Sequence, residues 1–301
     1  MSRHTDKWAY RYLYTDRIFS LTSWLFPKFG RSAAHCVTRA VASFYAATQK
    51  GVVQTVHENL KLLDPDIPEA PAKRLFRNYA MCISDYIALH SMDKNEALAL
   101  CGEFVGKDHV TEAARAGGAI LATGHFGFFE YGGVVLSTMG LPVTAATMAE
   151  PTPGLSAWRA NWRTKWGGDT IQVGGDPFSS LIAQRALAAG RLVAMLADRP
   201  MGSHGIPVDL PGGQILFSSS PAVLSLLTGA PIIPVAVSLR ADRKYRVVAL
   251  PPVRTEKVPH ALRNQEIARC TQALATALFS EIFSAPDQWF QFVPVRAKKL
   301  S

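Results

Sequence analysis

The pattern of apolar and polar positions divides the chain near residue 100. Before that point, apolar residues recur at three- and four-residue spacing over 31–63 and again over 69–92, the period of amphipathic helices. Asp64-Pro65-Asp66 ends the first of these. From Gly117 the period changes. Ala119-Ile120-Leu121-Ala122-Thr123 is a short apolar run preceded by two glycines and followed by another, which reads as a strand buried on both faces. Further strands are predicted at 143–148, 170–173, 192–197, 232–239 and 245–250, with a closing strand at 289–295. Helical stretches at 130–138, 155–166, 179–188, 219–227 and 261–283 separate or follow them. Such alternation predicts an α/β fold, a central mostly parallel sheet flanked by helices, over 101–301. A helical, membrane-associating extension fills 1–100. There is no internal repeat or linker, so the two parts are expected to form one structural domain overall.

Composition adds exclusions. The 301 residues are 48% apolar and 18% charged, which excludes a disordered chain and a rod. Mean hydropathy is +0.08, oily for a soluble protein. The most apolar N-terminal run, 18–26, is hemmed in by Arg17 and Lys28 and is too short to span a bilayer or to read as a signal peptide. The four cysteines show no metal or redox spacing and read as free thiols in a reducing compartment. The net charge of +9 is unevenly placed: residues 1–50 carry eight basic side chains against two acidic, and the tail adds Arg296, Lys298 and Lys299. With the aromatics Trp8, Tyr10, Tyr12, Tyr14, Phe19, Trp24 and Phe26 among them, these ends suit an anionic membrane surface. No nucleic-acid-binding motif accompanies the charge, so nucleic acid is not expected as a partner. A merely solvated basic face is the competing reading.

The sharpest chemical signal is Thr123-Gly124-His125-Phe126-Gly127-Phe128-Phe129-Glu130. It lies where a predicted strand ends and a helix begins, and ligands bind at the carboxyl ends of strands in open α/β sheets. Gly124 and Gly127 are expected to let substrate approach the imidazole. Glu130, in the first helical turn, is expected to fold back onto the second ring nitrogen of His125 and make it a general base. By the same strand-end rule, Asp198-Arg199 lies beside His125, either in the substrate pocket or as an ion pair closing a strand. Trp158, Trp162 and Trp166 share one helix face, flanked by Arg159, Arg163 and Lys165. They read as an interfacial helix at a lipid entrance with Arg163 on a phosphate, or as a core stripe. His125 and Glu130 lack the spacing of helical zinc ligands, so no metal is expected.

The H-x-x-x-x-E signature at a strand end resembles the lysophospholipid and glycolipid acyltransferases, and within them the late acyltransferases of lipid A assembly and their relatives that acylate mannolipids. Leu196-Ala197-Asp198-Arg199-Pro200 resembles the family's apolar strand ending in Asp. Phe217-Ser218-Ser219-Ser220-Pro221-Ala222 followed by Thr228-Gly229-Ala230-Pro231-Ile232-Ile233-Pro234 is similar to its F-x-x-G-P-A and T-G-A-P-x-x-P blocks, and Pro286-Asp287-Gln288-Trp289 to its closing P-E-Q-Y/W. Ser220, Gly168 and Phe292-Val293-Pro294-Val295 depart from the lipid A enzymes. The resemblance implies transfer of a fatty acyl group from an acyl-CoA or acyl-carrier-protein thioester to a hydroxyl or amine of a glycolipid or lysolipid. His125 would be the base and Glu130 its orienting group, with neither a covalent intermediate nor a cofactor. It implies that Asp198 and Arg199 belong to the substrate pocket, with Arg199 on a phosphate. It also implies peripheral or monotopic placement at the cytoplasmic face of a bacterial inner membrane. A lysophospholipid or aminolipid acyltransferase, a thioesterase or lipid hydrolase, and an inactive lipid-binding protein are the alternatives.

Overall fold

The computed structural model describes residues 16–173, 179–200 and 205–295. The aromatic and basic residues expected on the lipid surface before position 16, and Arg296, Lys298 and Lys299, lie outside these residues.

The N-terminal part is helical, as the spacing predicts. It comprises α1 (Asp16–Thr48), α2 (Lys50–Leu60), α3 (Ala70–Ala88) and α4 (Lys94–Ala99). The single helix expected over 31–63 is broken at Gln49, whose φ of −97° and ψ of 59° are not helical. α1 also kinks at Gly30, where a φ of 74° suits only glycine readily. The short α4 was not read from the sequence. Asp93 starts it with a reciprocal capping box to Glu96.

A seven-stranded sheet follows. It contains β1 (Cys101–Val105), β2 (Ala119–Thr123), β3 (Val143–Thr147), β4 (Asp169–Gln172), β5 (Leu192–Leu196), β8 (Ile232–Leu239) and β9 (Tyr245–Ala249), in the order β1-β9-β8-β2-β5-β3-β4. β8, β2, β5, β3 and β4 are mutually parallel; β9 pairs antiparallel with β8, and β1 is parallel to β9. The sheet is therefore mostly parallel, as expected, with a reversed two-strand edge. Its helices are α5 (Lys107–Arg115), α6 (Phe129–Thr138), α7 (Pro153–Lys165), α8 (Ser179–Ala188), α9 (Ser220–Thr228) and α10 (Arg263–Ser284). β6 (Ile206–Leu210) and β7 (Gly213–Phe217) form a separate hairpin.

The closing strand expected over 289–295 does not form. Pro286–Gln288 is a turn of 3₁₀ helix, and Trp289 makes only an isolated bridge to Phe126. The segment instead clamps the loop after β2: the amide of Phe290 donates to the His125 carbonyl at 2.7 Å, and that of Gly127 to the Gln288 carbonyl at 2.9 Å.

Strand β2 is buried along its whole length, and its alternate side chains enter two cores. Ile120 and Ala122 join a large cluster containing Val53, Leu60 and Leu75 of the helical part and Leu274 and Phe279 of α10. Ala119 and Leu121 join a smaller one with Val110, Ile233 and Val235. The helical part and the sheet thus share the larger core. Leu75 is fully buried in it, so truncation to Ala is expected to cost about 2–5 kcal/mol.

Candidate active site

β2 and β5 are parallel and in register, Thr123 opposite Leu196. Two residues beyond each strand end the chain places His125 and Asp198 side by side. Asp198 Oδ1 lies 2.7 Å from His125 Nδ1, and Oδ2 accepts the His125 amide at 2.8 Å. Oδ2 also accepts Trp289 Nε1 at 3.0 Å and Gln291 Nε2 at 2.6 Å. Burial of Asp198 works to raise its pKa, but the adjacent His125, first by charge and then by hydrogen bond, holds it below the usual carboxylate range. An ionised carboxylate only accepts hydrogen bonds. His125 Nδ1 therefore carries a proton, so that in the neutral ring Nε2 is the acceptor, and Nε2 has no partner among the described residues.

The expected orienting contact from Glu130 is corrected by this arrangement. Register at the strand ends brings Asp198, not Glu130, onto the ring nitrogen. Glu130 is engaged by α7. Its Oε1 accepts Arg159 Nη2 at 2.6 Å and Arg163 Nη2 at 2.7 Å, and its Oε2 accepts Arg163 Nε at 3.0 Å. Burial pushes the Glu130 pKa upward, but the two guanidiniums outweigh it and bring it down to about 2. Arg159 reaches further, to Glu150 and to the Tyr86 hydroxyl at 3.2 Å, and Arg163 to Thr170 Oγ1 at 3.3 Å. The phosphate expected on Arg163 is thus replaced by an internal carboxylate.

Of the two readings of the tryptophan face, the structure selects the core stripe. Trp162 and Trp166 are buried, Trp162 donates to the Tyr86 carbonyl at 3.0 Å, and Trp158 packs on Phe19, Tyr86 and His90. Lys165 is held by the carbonyls of Leu89, His90 and Met92, just past the end of α3. The stripe is core because α7 lies against α3 and the start of α1, and the exposed apolar surface falls on α1 instead. Leu21, Trp24, Phe29, Val37, Val41 and Phe44 are all exposed there.

Both glycines of the His125 loop serve approaches within the protein. A Cβ on Gly124 would stand 3.1 Å from Asp198 Oδ2. Gly127 has a φ of 52°, and a Cβ there would fall 1.8 Å from the Val237 carbonyl oxygen. Gly124 thus permits the close approach of Asp198 to the His125 loop, and Gly127 packs that loop on β8 while itself lining the cavity beside His125.

His125 borders a cavity of about 820 Å³. Glu130 and Arg199 also line it, and Leu121, Leu136, Val143, Ala194, Leu224 and Val235 give it a largely apolar wall. Small side chains on the central strands, Ala145 and Ala194, leave room for it. Arg199 is half-buried and forms no hydrogen bond or ion pair with a described residue, Asp198 included. Burial lowers its pKa, and the nearby Asp198 charge opposes that. A guanidinium beside an apolar cavity, without a partner among the described residues, is equipped to meet an anion.

Sequence reasoning placed Asp198 beside His125 but gave it no part in orienting the ring. It missed Trp289 and Gln291 as donors to that carboxylate, for nothing in their spacing marks a contact across some 90 residues.

The sequence model of the bacterial lipid A biosynthesis acyltransferases matches residues 2–295. The chain is also similar to a phosphatidylinositol mannoside acyltransferase of Mycolicibacterium smegmatis, 27% identical over 234 residues, covering 76% of this chain and 73% of the relative. A phosphatidylinositol mannoside acyltransferase of Mycobacterium tuberculosis (strain CDC 1551 / Oshkosh) is 27% identical over 194 residues, 63% of this chain and 58% of that protein.

Proposed function

The chain belongs to the bacterial lipid A biosynthesis acyltransferase family and is an acyltransferase of lipid biosynthesis; on that premise we propose that it moves a fatty acyl group from a coenzyme A or acyl-carrier-protein thioester to a hydroxyl of a glycolipid. The observation that carries the reading is His125 at the edge of an apolar cavity, Nδ1 held by ionised Asp198 and Nε2 free. Nε2 takes the proton of the acceptor hydroxyl as its oxygen attacks the thioester carbonyl. The tetrahedral intermediate collapses, the carbon–sulfur bond breaks, and the imidazolium returns its proton to the departing thiolate. Asp198 stabilises the imidazolium through Nδ1. The chain needs no nucleophile of its own, because the acceptor oxygen fills that role.

The apolar wall supports a seat for the acyl chain, and Arg199 is proposed to meet a phosphate of the donor or of the acceptor. Glu130 is a positioning residue in this reading: through Arg159 and Arg163 it ties α6 to α7 and so holds one wall of the cavity. Gly124 belongs to the site through its tight contact with Asp198. The N-terminal part, residues 1–100, is proposed to lie on the cytoplasmic face of the membrane. The exposed apolar residues of α1 support that, and no helix among the described residues is long and apolar enough to cross a bilayer.

The test is to supply purified protein with acyl-CoA or acyl-carrier-protein thioester, with and without a mannosylated glycolipid, and to follow products by mass spectrometry. Acylated glycolipid is the expected product. Free fatty acid formed at the same rate with or without acceptor would make the protein a thioesterase and overturn the proposal.

A further inference from the structure

A second cavity, of about 360 Å³, lies apart from the His125 site, and no residue lines both. Ser32, His35, Arg39 and Ser43 of α1 line it, with Arg77 of α3 and Arg243 from the turn between β8 and β9. That turn follows the end of β8, which runs parallel to β2. The second cavity and the His125 loop are therefore at the same end of the sheet.

Its charge is unbalanced. Arg39 and Arg77 have no carboxylate partner among the described residues, and Arg243 has only a 3.5 Å contact from Nη1 to Ser32 Oγ. The nearby carboxylates are already occupied. Asp85 accepts Arg31 Nε at 2.8 Å, Arg31 Nη2 at 2.7 Å and the Tyr245 hydroxyl, and has His35 Nε2 at 2.7 Å. Asp242 takes Arg240 Nε at 3.4 Å and the Lys244 amide. Three guanidiniums around one cavity repel each other unless an anion lies between them.

The cavity is also built rather than accidental. Arg31, locked on Asp85, donates from Nη2 to the Arg243 carbonyl at 2.6 Å and so fixes the turn. Arg243 is the described non-glycine residue with positive φ, 62°, a conformation held at a cost. The cavity-lining His35 is 1% exposed, and its Nδ1 has no hydrogen-bond partner among the described residues. On α1, Val37, Val41 and Phe44 follow at four- and three-residue spacing, one residue on from the cavity-lining Cys36, Ala40 and Ser43. An exposed apolar stripe therefore runs beside the basic cavity along the same helix.

We propose that this cavity binds the phosphate of an anionic phospholipid while Val37, Val41 and Phe44 enter the acyl boundary of the same leaflet. It is a lipid-docking site separate from the active site. The proposal deepens the membrane association proposed above and is independent of acyl transfer, since binding is read without substrate.

The test is flotation of the full chain with phosphatidylcholine vesicles, alone and with phosphatidic acid added. Wild type is expected to float with the anionic vesicles only. Arg39→Gln/Arg77→Gln/Arg243→Gln is expected to bind them about a hundredfold more weakly, at about fivefold per lost charge. The charge-matched control Lys107→Gln/Arg115→Gln/Arg263→Gln is expected to lose about fivefold or less. Melting temperatures confirm that both fold; should the first triple not fold, Arg39→Gln, on an exposed side chain, is read against Arg115→Gln instead. Equal weakening by the two sets would leave membrane binding intact but overturn the cavity as its site. Failure of wild type to bind anionic vesicles would overturn both the site and the membrane association, leaving the acyl-transfer reading untouched. Release from vesicles by inorganic phosphate in the micromolar range would reassign the cavity to free phosphate and overturn the lipid.

Discussion

Two histidine–aspartate pairs, each with a nitrogen–oxygen distance of 2.7 Å, sit in different parts of the molecule. His125 and Asp198 meet at the ends of β2 and β5; His35 and Asp85 join α1 to α3. The contact is the same and its surroundings are not. Among the described residues Asp198 accepts from His125, a backbone amide, an indole and a carboxamide and from no other cation, so its charge is directed mainly at the imidazole. Asp85 is spanned by the Arg31 guanidinium, and most of its charge is spent there. The His125 side chain is 24% exposed at a cavity, whereas that of His35 is 1% exposed with its second nitrogen enclosed. A histidine–carboxylate pair is fit for proton transfer when its free nitrogen reaches substrate space and its carboxylate has no other cation. By that rule the His125 pair is the one proposed for the chemistry, and the His35 pair is read as a structural tie.

The largest expected effect breaks the comparison directly. His125→Ala is expected to lower acyl transfer by about 10²–10⁴-fold with little change in melting temperature. His35→Ala is expected to do the reverse, lowering the melting temperature and leaving the rate per folded molecule near wild type. Transfer assays and thermal melts on both proteins decide it; comparable rate losses would erase the distinction. The partners sharpen it. Asp198→Asn keeps the volume but removes the charge and favours the wrong tautomer, so kcat is expected to fall about 10²–10⁴-fold at a nearly constant KM. Asp85→Asn leaves the partly buried Arg31 without its counter-charge, and about 3 kcal/mol of stability is the expected loss. Urea unfolding measures the second and steady-state kinetics the first.

The sequence displayed one half of this contrast. Gly124-His125 after an apolar run is a local signal, and local signals survive without coordinates; hence β2, β8 and α8 stand where the pattern puts them. The partner of His125 is a register property. Which of Glu130 and Asp198 reaches the ring depends on β2 lying beside β5, which no spacing encodes. The same holds for Arg163. Its flanking of a tryptophan stripe looks like a wet, basic face until the helix is known to pack that stripe inward. β1, β6 and β7 escaped notice because five-residue strands half open to solvent carry little periodicity.

Glu130 offers an intermediate test, a carboxylate near the site that behaves like Asp85. Its ordinary pKa is 4.5 and falls to about 2 in the folded chain. Depression means that its stabilising contribution is full above the ordinary value and is lost as pH drops toward 2. The gap corresponds to about 3 kcal/mol. Asp198 and Asp85 are also depressed and lose stability in the same direction. Acid unfolding is therefore expected below about pH 4, with a contribution from Glu130 that vanishes in Glu130→Gln. That variant exposes Arg159 and Arg163 to each other and is expected to lose about 3–5 kcal/mol of stability at neutral pH. Its rate per folded molecule should fall less than that of Asp198→Asn. A melt and a rate measured on the same sample test both, and a rate loss as deep as Asp198→Asn with an unchanged melt would move Glu130 from the cavity wall into the chemistry.

Arg199 gives the smallest effect and the finest test. It follows Asp198 directly, yet makes no ion pair with it or with any other described residue. Arg159 and Arg163 line the same cavity but are committed to Glu130. A guanidinium that holds no described residue in place is expected to contribute little to stability, while in a bound complex it offers a phosphate two parallel donors. Lys in its place keeps the charge and loses the second donor. Arg199→Lys is therefore expected to raise KM for the phosphate-bearing substrate about threefold to tenfold, the scale of one ordinary hydrogen bond because the charge is kept, with kcat and melting temperature nearly unchanged. Running the series with the donor varied and then with the acceptor varied identifies which of the two it meets. If KM for both stays put, or if the lysine variant melts markedly lower, Arg199 belongs with Arg31 among the structural cations and the cavity must recognise its substrate without it.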